Sequence, residues 1–570
     1  MKRLLLIVGV GLALLTGCAA LPTQGPVLQE TRRSRQPGPG GVAIAPDPPP
    51  DGATESLIID GFLHAMATYQ PGYPAARLYL TEEAQQAWRP ESGVTVYADT
   101  TPPRAAAEPV TIIGRVAADG SFTAHDERIR YDFRIERNSA GQLRISNPPE
   151  GILISRYLFA TAYVRSEVYF LDQAGATLVP DTRYVARGTR DATSLVRMLL
   201  NGPSNWLAPA VITAAPHEVG LAGTVTGSGI LTIPLRAAPA PAQAAPFAAQ
   251  LAATLRQIPH LDGFRITVDG RPVVIDGQRS DGSAPLSLAD RYDPLQGLST
   301  QLFGIQNDRL VRVSEAPGEA PRAVSGIFGT QNWSASGLAI TRDGLEAALV
   351  VGPEQARELH RGPVDGGETR KVLAAAQLLR PQYSRAGHLW AMTASGSLSR
   401  ITGDQIDQVP VRSLDGMVVA FRISPDGQRM AVIVEPENGR NRELQLLRID
   451  AGGVWAAARR IPLVRDSTEL TELLDVGWSG PTTLTVLKGG EPRPEVVEVD
   501  VDGVTVRDIG RADDWAAVTL TTSPRSSVRK AVADNARLVW LYQGGLRWAP
   551  LPLPTDGAAA PTLRLPTYPG

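Results

Sequence analysis

Hydrophobic and polar positions follow four successive patterns along the 570 residues. Residues 4–15 form an unbroken apolar run behind Lys2 and Arg3. The run is shorter than the ~20 residues a membrane-spanning helix needs, so it predicts a secretory signal over residues 1–17. Residues 18–52 show no apolar period, are rich in Pro and Gly, and end in Pro46-Asp47-Pro48-Pro49-Pro50-Asp51-Gly52. Such a stretch cannot bury apolar surface and predicts an extended, partly polyproline tether.

A helical period then appears. Ile58, Phe62 and Met66 share one face with Ile59 and Leu63 alongside, and Thr54 stands where an N-cap belongs. Leu80-Thr81-Glu82-Glu83 predicts a second helix start, its acidic first turn complementing the dipole. Beyond it the period falls to two. Tyr131, Phe133 and Ile135 alternate with Asp132, Arg134 and Glu136, turn at Asn138-Ser139-Ala140-Gly141, and return through Leu143 and Ile145. Helices followed by a hairpin sheet predict an α+β domain over 53–160.

Residues 163–277 mix both periods. Glu167-Val168-Tyr169-Phe170-Leu171 reads as a strand running into the turn Asp172-Gln173-Ala174-Gly175. A helix carries Leu195, Val196, Leu199 and Leu200 and stops at Gly202-Pro203. Gly227-Ser228-Gly229 turns into the strand Ile230-Leu231-Thr232-Ile233. Phe247, Leu251, Leu255 and Ile258 mark another helix. Phe264, Ile266 and Val268 alternate up to Asp269-Gly270, and Val273-Val274-Ile275 returns. A second compact α/β unit is expected here.

From 285 to 570 the helical period vanishes. A short strand, a turn with Gly or Asp-Gly, and a second apolar strand recur. The clearest copy is Ala420-Phe421-Arg422-Ile423-Ser424-Pro425-Asp426-Gly427, followed by Met430-Ala431-Val432-Ile433. Asp-Gly supplies the positive φ a tight hairpin requires. Matching serines at Ser336, Ser384, Ser424, Ser479 and Ser523 keep the ~40–50-residue period of propeller blades. The expected fold is therefore multi-domain, ending in an all-β propeller of about six blades, or seven. The outermost blade is expected to combine strands from both ends of the region. A tandem of β-sandwiches is the competing reading.

Composition narrows the function without naming it. The formal net charge of -2 implies no electrostatic pull toward nucleic acid or anionic lipid. Cys18 is the one cysteine, so no intramolecular disulfide is available and the domains rely on their cores. Leu15-Thr16-Gly17-Cys18 places it directly behind the apolar run, after two small residues. This resembles the bacterial lipobox, with cleavage between Gly17 and Cys18 and diacylglycerol attached to the thiol. Two or more acyl chains anchor stably where one does not.

Candidate chemistry is sparse. His64, His125, His217, His260, His360 and His388 are scattered singly, and His217-Glu218 lacks a second histidine at the zincin spacing. There is no G-x-S-x-G elbow and no Walker A loop. Glu498, Asp500 and Asp502 before Gly503 look like the start of a calcium loop. Ile509 then stands where the bidentate glutamate must be. A strand with an acidic face is the better reading of these residues. Trp333, Trp390, Trp455, Trp478, Trp540 and Trp548 are expected to pack between blades, with a glycan- or peptide-lining role as the alternative. The expectation is a protein with no catalytic residues, no cofactor and no metal.

The order of these segments resembles the actinobacterial LpqB lipoprotein family over nearly the whole chain. Gly61-Phe62-Leu63 and Tyr79-Leu80-Thr81 are similar to the family's N-terminal domain. A GerMN-like middle domain is carried by four motifs: Val168-Tyr169-Phe170-Leu171-Asp172, Leu178-Val179-Pro180-Asp181-Thr182-Arg183, Leu199-Leu200-Asn201-Gly202-Pro203 and Val268-Asp269-Gly270. The end of the chain resembles the family's propeller, although its fourth and fifth units have poor turn motifs. The resemblance implies an accessory of the MtrA–MtrB regulator and sensor kinase, working in envelope homeostasis and cell division. The partners it implies are the extracytoplasmic domain of the kinase and, through the lipid, the outer face of the cell membrane. A structural lipoprotein binding peptidoglycan or another cell-wall polymer is the alternative, and an envelope hydrolase a third.

Overall fold

The computed structural model describes residues 47–570 apart from 105–107, 216–218, 317, 438, 440, 466–467, 491–492, 512–514, 535–537 and 554–561. The signal over 1–17, Cys18 and most of the 18–52 tether lie outside the described residues, as do His217 and Glu218.

The first helix, Glu55–Ala67, buries Ile58, Ile59, Phe62, Leu63, Ala65 and Met66, the face that the periodicity singled out. Thr54 caps it, accepting the Leu57 N–H at 3.4 Å. Gly61 lies on this helix because Tyr79 packs directly against it; a Cβ there would sit 2.5 Å from the Tyr79 ring. Thr81 caps the helix Glu82–Ala87 in the same way. Both pack on a four-stranded sheet in the order Phe122–Arg130, Pro109–Val116, Val94–Tyr97, Ile152–Ser155, the last pair parallel. Pro109–Val116 alternates buried and half-buried positions, the pattern of a strand with one face on a core.

The hairpin after it is shorter than its alternation suggests. Only Ile135–Arg137 pairs with Leu143–Ile145. Arg134 stands at φ 43°, which ends the extended run, and Tyr131 and Phe133 fall outside the strand. Phe133 is nevertheless buried, so its apolar signal reported packing instead of pairing.

In the middle domain, Tyr163–Asp172 pairs antiparallel with Leu178–Ala186 along its whole length. Helix Ala192–Leu200 opens with a reciprocal Asp191–Ser194 capping box and ends before Gly202, which takes φ 88°. Ile230–Leu235 and Gly263–Val268 form a parallel pair joined by helix Pro241–Leu255. Phe247, Leu251 and Leu255 of that helix are fully buried. Ile258 lies past its end. The return after Asp269-Gly270 pairs at Arg271 and Pro272, Val273 adds one backbone bond to Ile266 O, and Val274-Ile275 leaves the ladder, with Val274 exposed and Ile275 turned into the core.

The described residues of the last region form six four-stranded sheets, the lower of the two expected blade counts. In the first blade the C-terminal strand Arg564–Thr567 lies innermost, against Leu302–Gln306, so the two ends of the region close one blade. The recurrent serine has a structural job. In four blades its backbone N–H closes the hairpin after the innermost strand: Ser384 to His388, Ser424 to Arg429, Ser479 to Thr483 and Ser523 to Arg529. In the second blade that position is Thr341, bonded to Glu346. Ser336 lies inside strand Ala335–Ile340 and belongs to a different register. Trp390, Trp455, Trp478 and Trp548 are buried, and Trp390 meets Trp455 edge-on at 6.1 Å between the third and fourth blades. No described helix is long and apolar enough to cross a membrane.

Candidate functional site: the three-domain junction

Strands alternate direction within a blade, so the loops after the first and third strands share one propeller face. That face meets the rest of the chain. Arg342, Arg385 and Arg525, from the first loops of blades two, three and six, reach the linker at 293–298. Arg342 donates to the Pro294 carbonyl at 2.6 Å, Arg385 to Asp293 O at 2.6 Å, and Arg525 to Leu298 O at 3.1 Å. Burial, reinforced by Arg385 and opposed by Asp293, holds the Arg342 guanidinium down to about 10.

The axis beneath is closed by Arg380. Its guanidinium donates to Leu520 O at 2.8 Å, Thr567 Oγ1 at 3.1 Å, Pro566 O at 3.3 Å and Leu338 O at 3.4 Å, with the Asp475 carboxylate 3.7 Å away. One side chain of the third blade therefore ties together the first, second, fifth and sixth. Desolvation, helped by Arg422 and opposed by Asp475, depresses its pKa to about 9. The axial cavity that remains is about 50 Å³, room for a water or two.

Blades four and five dock the other domains. Arg165, on the middle domain's first strand, pairs with Glu167 at 3.1 Å and bonds Thr482 O at 3.3 Å. Its Nε stands 3.6 Å from Asp502 and 4.0 Å from Asp500. Burial works against the Arg165 charge, but Asp502, Asp500 and Glu167 outweigh it and raise its pKa. Burial raises the Asp500 carboxyl, Arg165 pulls it back and Asp502 pushes it further up. Tyr184 donates its hydroxyl to Asp502 at 3.0 Å; burial first, then that carboxylate, holds the phenol far from ionising. Glu498 pairs with Lys530 at 2.9 Å and Arg507 at 3.1 Å. The acidic run that looked like a calcium loop is thus divided between blade packing and a domain clamp. No group of three or more His, Cys, Asp or Glu able to hold a metal occurs among the described residues.

A second clamp grows from the Pro180-Asp181-Thr182-Arg183 motif. Asp181 accepts the Ser204 N–H at 2.6 Å and Arg183 at 2.8 Å, fixing the turn after Gly202-Pro203. Arg183 also reaches Asp119 of the first domain at 2.6 Å. The turn presents Trp206, whose indole N–H donates to Ala457 O at 2.9 Å and whose ring lies 4.0 Å from the Arg459 guanidinium. Such stacking contributes ~0.5–2 kcal/mol. Arg156 of the first domain adds a 3.5 Å bond to Val464 O.

None of Arg165, Tyr184, Trp206 or Arg459 carried a functional signal in the sequence, and Asp502 carried the wrong one. The one available hint was a charge in the strand at Arg165 and Glu167, positions where a sheet edge facing solvent is the ordinary explanation.

Three family models match the chain in order: the lipoprotein LpqB N-terminal domain over 48–160, the Germane sporulation and spore germination model over 167–274, and the lipoprotein LpqB beta-propeller domain over 308–563. Lipoprotein LpqB of Cutibacterium acnes is 30% identical over 576 residues, covering 94% of this chain and 95% of that one. Lipoprotein LpqB of Streptomyces coelicolor is 28% identical, covering 98% and 96%. That of Mycolicibacterium smegmatis is 31% identical, covering 76% and 79%. Among solved structures, TolB from Acinetobacter baumannii is similar over 48% of this chain and 67% of its own, at 14% identity and a TM-score of 0.34.

Proposed function

Because the chain belongs to the LpqB lipoprotein family, we propose that it is an extracytoplasmic, lipid-anchored accessory that modulates a membrane sensor kinase of the MtrA–MtrB type. The family name implies a membrane-anchored envelope protein. In this reading the anchor is diacylglycerol on Cys18, freed by cleavage after Gly17, and two acyl chains hold where one would exchange.

The observation that carries the partner reading is the asymmetry of the propeller. One face is engaged by the chain's own linker and domains through Arg342, Arg385, Arg165 and Tyr184, and Trp206 adds a contact on the outer strand of blade four. The loops between second and third strands, on the opposite face, make no hydrogen bond or ion pair to the first two domains among the described residues. Residues 352–356 there are all exposed. A propeller clamped on one side and closed at its axis is a stiff platform, suited to binding a protein partner with little ordering penalty.

The test is binding of a soluble fragment, residues 46–570, to the extracytoplasmic domain of the kinase by interferometry at physiological salt. Saturable binding at micromolar affinity or better, abolished by Glu354→Lys in the 352–356 loop, supports the reading. A fragment that ignores the kinase but is retained by purified cell-wall polymer overturns it in favour of a structural envelope role.

A further inference from the structure

A cleft opens where the three domains meet, and no role described so far uses it. It has two adjoining compartments, of about 170 Å³ beside Trp206 and about 260 Å³ beside His125. Arg459, Phe122, Thr123, Val501 and Asp502 line both. The first domain contributes Thr123 and His125, the middle domain Asn205 and Trp206, and the propeller Arg459.

Arg459 is the anomaly. It sits half-buried on the outer strand of blade four and, among the described residues, has no carboxylate within ion-pair distance. Among the described residues its one hydrogen bond is Nη2 to Val501 O at 3.3 Å, its Nε is buried without an acceptor, and Nη1 finds none. Neighbouring Arg165, Arg183 and Arg429 also leave Nε without an acceptor, but each has a carboxylate partner: Glu167 for Arg165, Asp119 and Asp181 for Arg183, Asp426 for Arg429. Desolvation pulls the Arg459 pKa down to about 10, Asp502 and Asp181 opposing and Arg429 reinforcing it. A guanidinium withdrawn from water with its carboxylates only nearby and none directly paired is costly to keep, and its fork is shaped for a carboxylate or phosphate.

Trp206 fixes that fork in place. Its ring covers one face of the guanidinium, and its own N–H is tied to Ala457 O. Around it, Thr123 and Asn205 make no side-chain hydrogen bond among the described residues and stand exposed in the cleft. Burial, with Arg115 adding to it and Glu127 opposing, lowers the pKa of His125, so its neutral ring offers both a donor and an acceptor.

We propose that this junction cleft binds a small hydroxylated oxyanion, a carboxylate or phosphate ester of roughly monosaccharide size, with Arg459 pairing the anion and Thr123, Asn205 and His125 reading the hydroxyls. The compartments are below the ~300 Å³ of a drug-sized pocket, which sets the size. Since each domain supplies part of the lining, an occupant stabilises the junction itself, and the ligand acts as a strut between domains. This proposal stands apart from the kinase reading and rests on none of it.

The experiment is calorimetric titration of the detergent-solubilised full chain at constant ionic strength. The probes are glucuronate, glucose 6-phosphate and inorganic phosphate, with glucose as the neutral control. Saturable binding of at least one anion, with glucose silent, is expected. Arg459→Gln should weaken it about tenfold or more, the loss of one charge-assisted contact. Should Arg459→Gln fail to fold, Thr123→Ala and Asn205→Ala, both on exposed positions, serve instead and should each weaken binding several-fold. Preference for glucuronate or for glucose 6-phosphate assigns the anion as carboxylate or phosphate. Equal, unsaturable heats for all anions, or binding untouched by all three substitutions, overturns the site.

Discussion

The hydroxyl of Tyr184 lies 3.0 Å from the carboxylate of Asp502, a bond between two buried residues that joins the middle domain to the fifth propeller blade. Asp502 faces Arg165 as well, so phenol and guanidinium share one acceptor across the interface. A hydrogen bond to a charged acceptor contributes ~1.5–3 kcal/mol. Tyr184→Phe keeps the ring packing on Phe122 and Phe159 and removes the bond alone. It should destabilise the junction by about 2 kcal/mol, read as a lower Tm and faster proteolysis between the domains. An unchanged melt shows that the ion pairs alone carry the clamp.

Asp119 makes stability depend on pH. Burial pushes its carboxyl up, but Ser121 hydrogen bonds and Arg183 together hold it below the usual range. A carboxylate depressed in the folded state stabilises fully above the unfolded value of about 3.9. The contribution fades as pH falls through the lower folded value. The carboxylate is still 36% exposed, so solvent screening reduces it to about 1 kcal/mol. Asp119→Asn should therefore melt below the parent at pH 7, with the gap closing as the pH falls below the usual carboxylate range. A gap that persists at acid pH assigns the effect to turn geometry.

Arg380→Leu tests the axial tie. It leaves the carbonyls of Leu338, Leu520 and Pro566 without their donor in a largely desolvated site. A loss of about 3 kcal/mol is expected, seen as a calorimetric transition shifted for the propeller and unchanged for the other domains. Full retention of that transition shows that water replaces the guanidinium.

Removing 564–570 takes out the innermost strand of the first blade. Phe303 and Ile305 lose their cover and Leu302–Gln306 becomes a free edge. The propeller's Tm should fall by about 10 °C or more. Adding the seven residues back as a peptide should recover part of it. A truncated chain that melts like the parent shows that closure contributes nothing.

Cys18→Ser tests the anchor. With one cysteine in the chain, metabolic labelling by an alkyne fatty acid should disappear completely and the protein should leave the membrane fraction. Labelling that survives the substitution places the lipid elsewhere.

These outcomes fall on two kinds of feature, and the sequence speaks clearly for one of them. The helix faces at Ile58, Phe62 and Met66 and at Leu195, Val196 and Leu199 were legible because each is a local period that one core reads out. The repeat was legible because five of the six blades solve the same hairpin with a Ser or Thr, although Ser336 stood in for Thr341 when the backbone register was unknown. Phe133 and Ile258 were apolar for packing reasons, and their period misstated where a strand began and a helix ended.

By itself, then, the sequence determined the type and order of the elements, the three-part division, the repeat and the sole cysteine behind an apolar run. All of these are written within a few residues or in a fixed period. Tertiary structure alone decided which charges meet: Arg165 with Asp500 and Asp502, Tyr184 with Asp502, Trp206 with Arg459, and Arg380 with four other blades. An arginine in a strand looks the same whether it faces water, a carboxylate on another domain or an empty cleft. The difference lies in desolvation and distance, which exist only once the domains are docked.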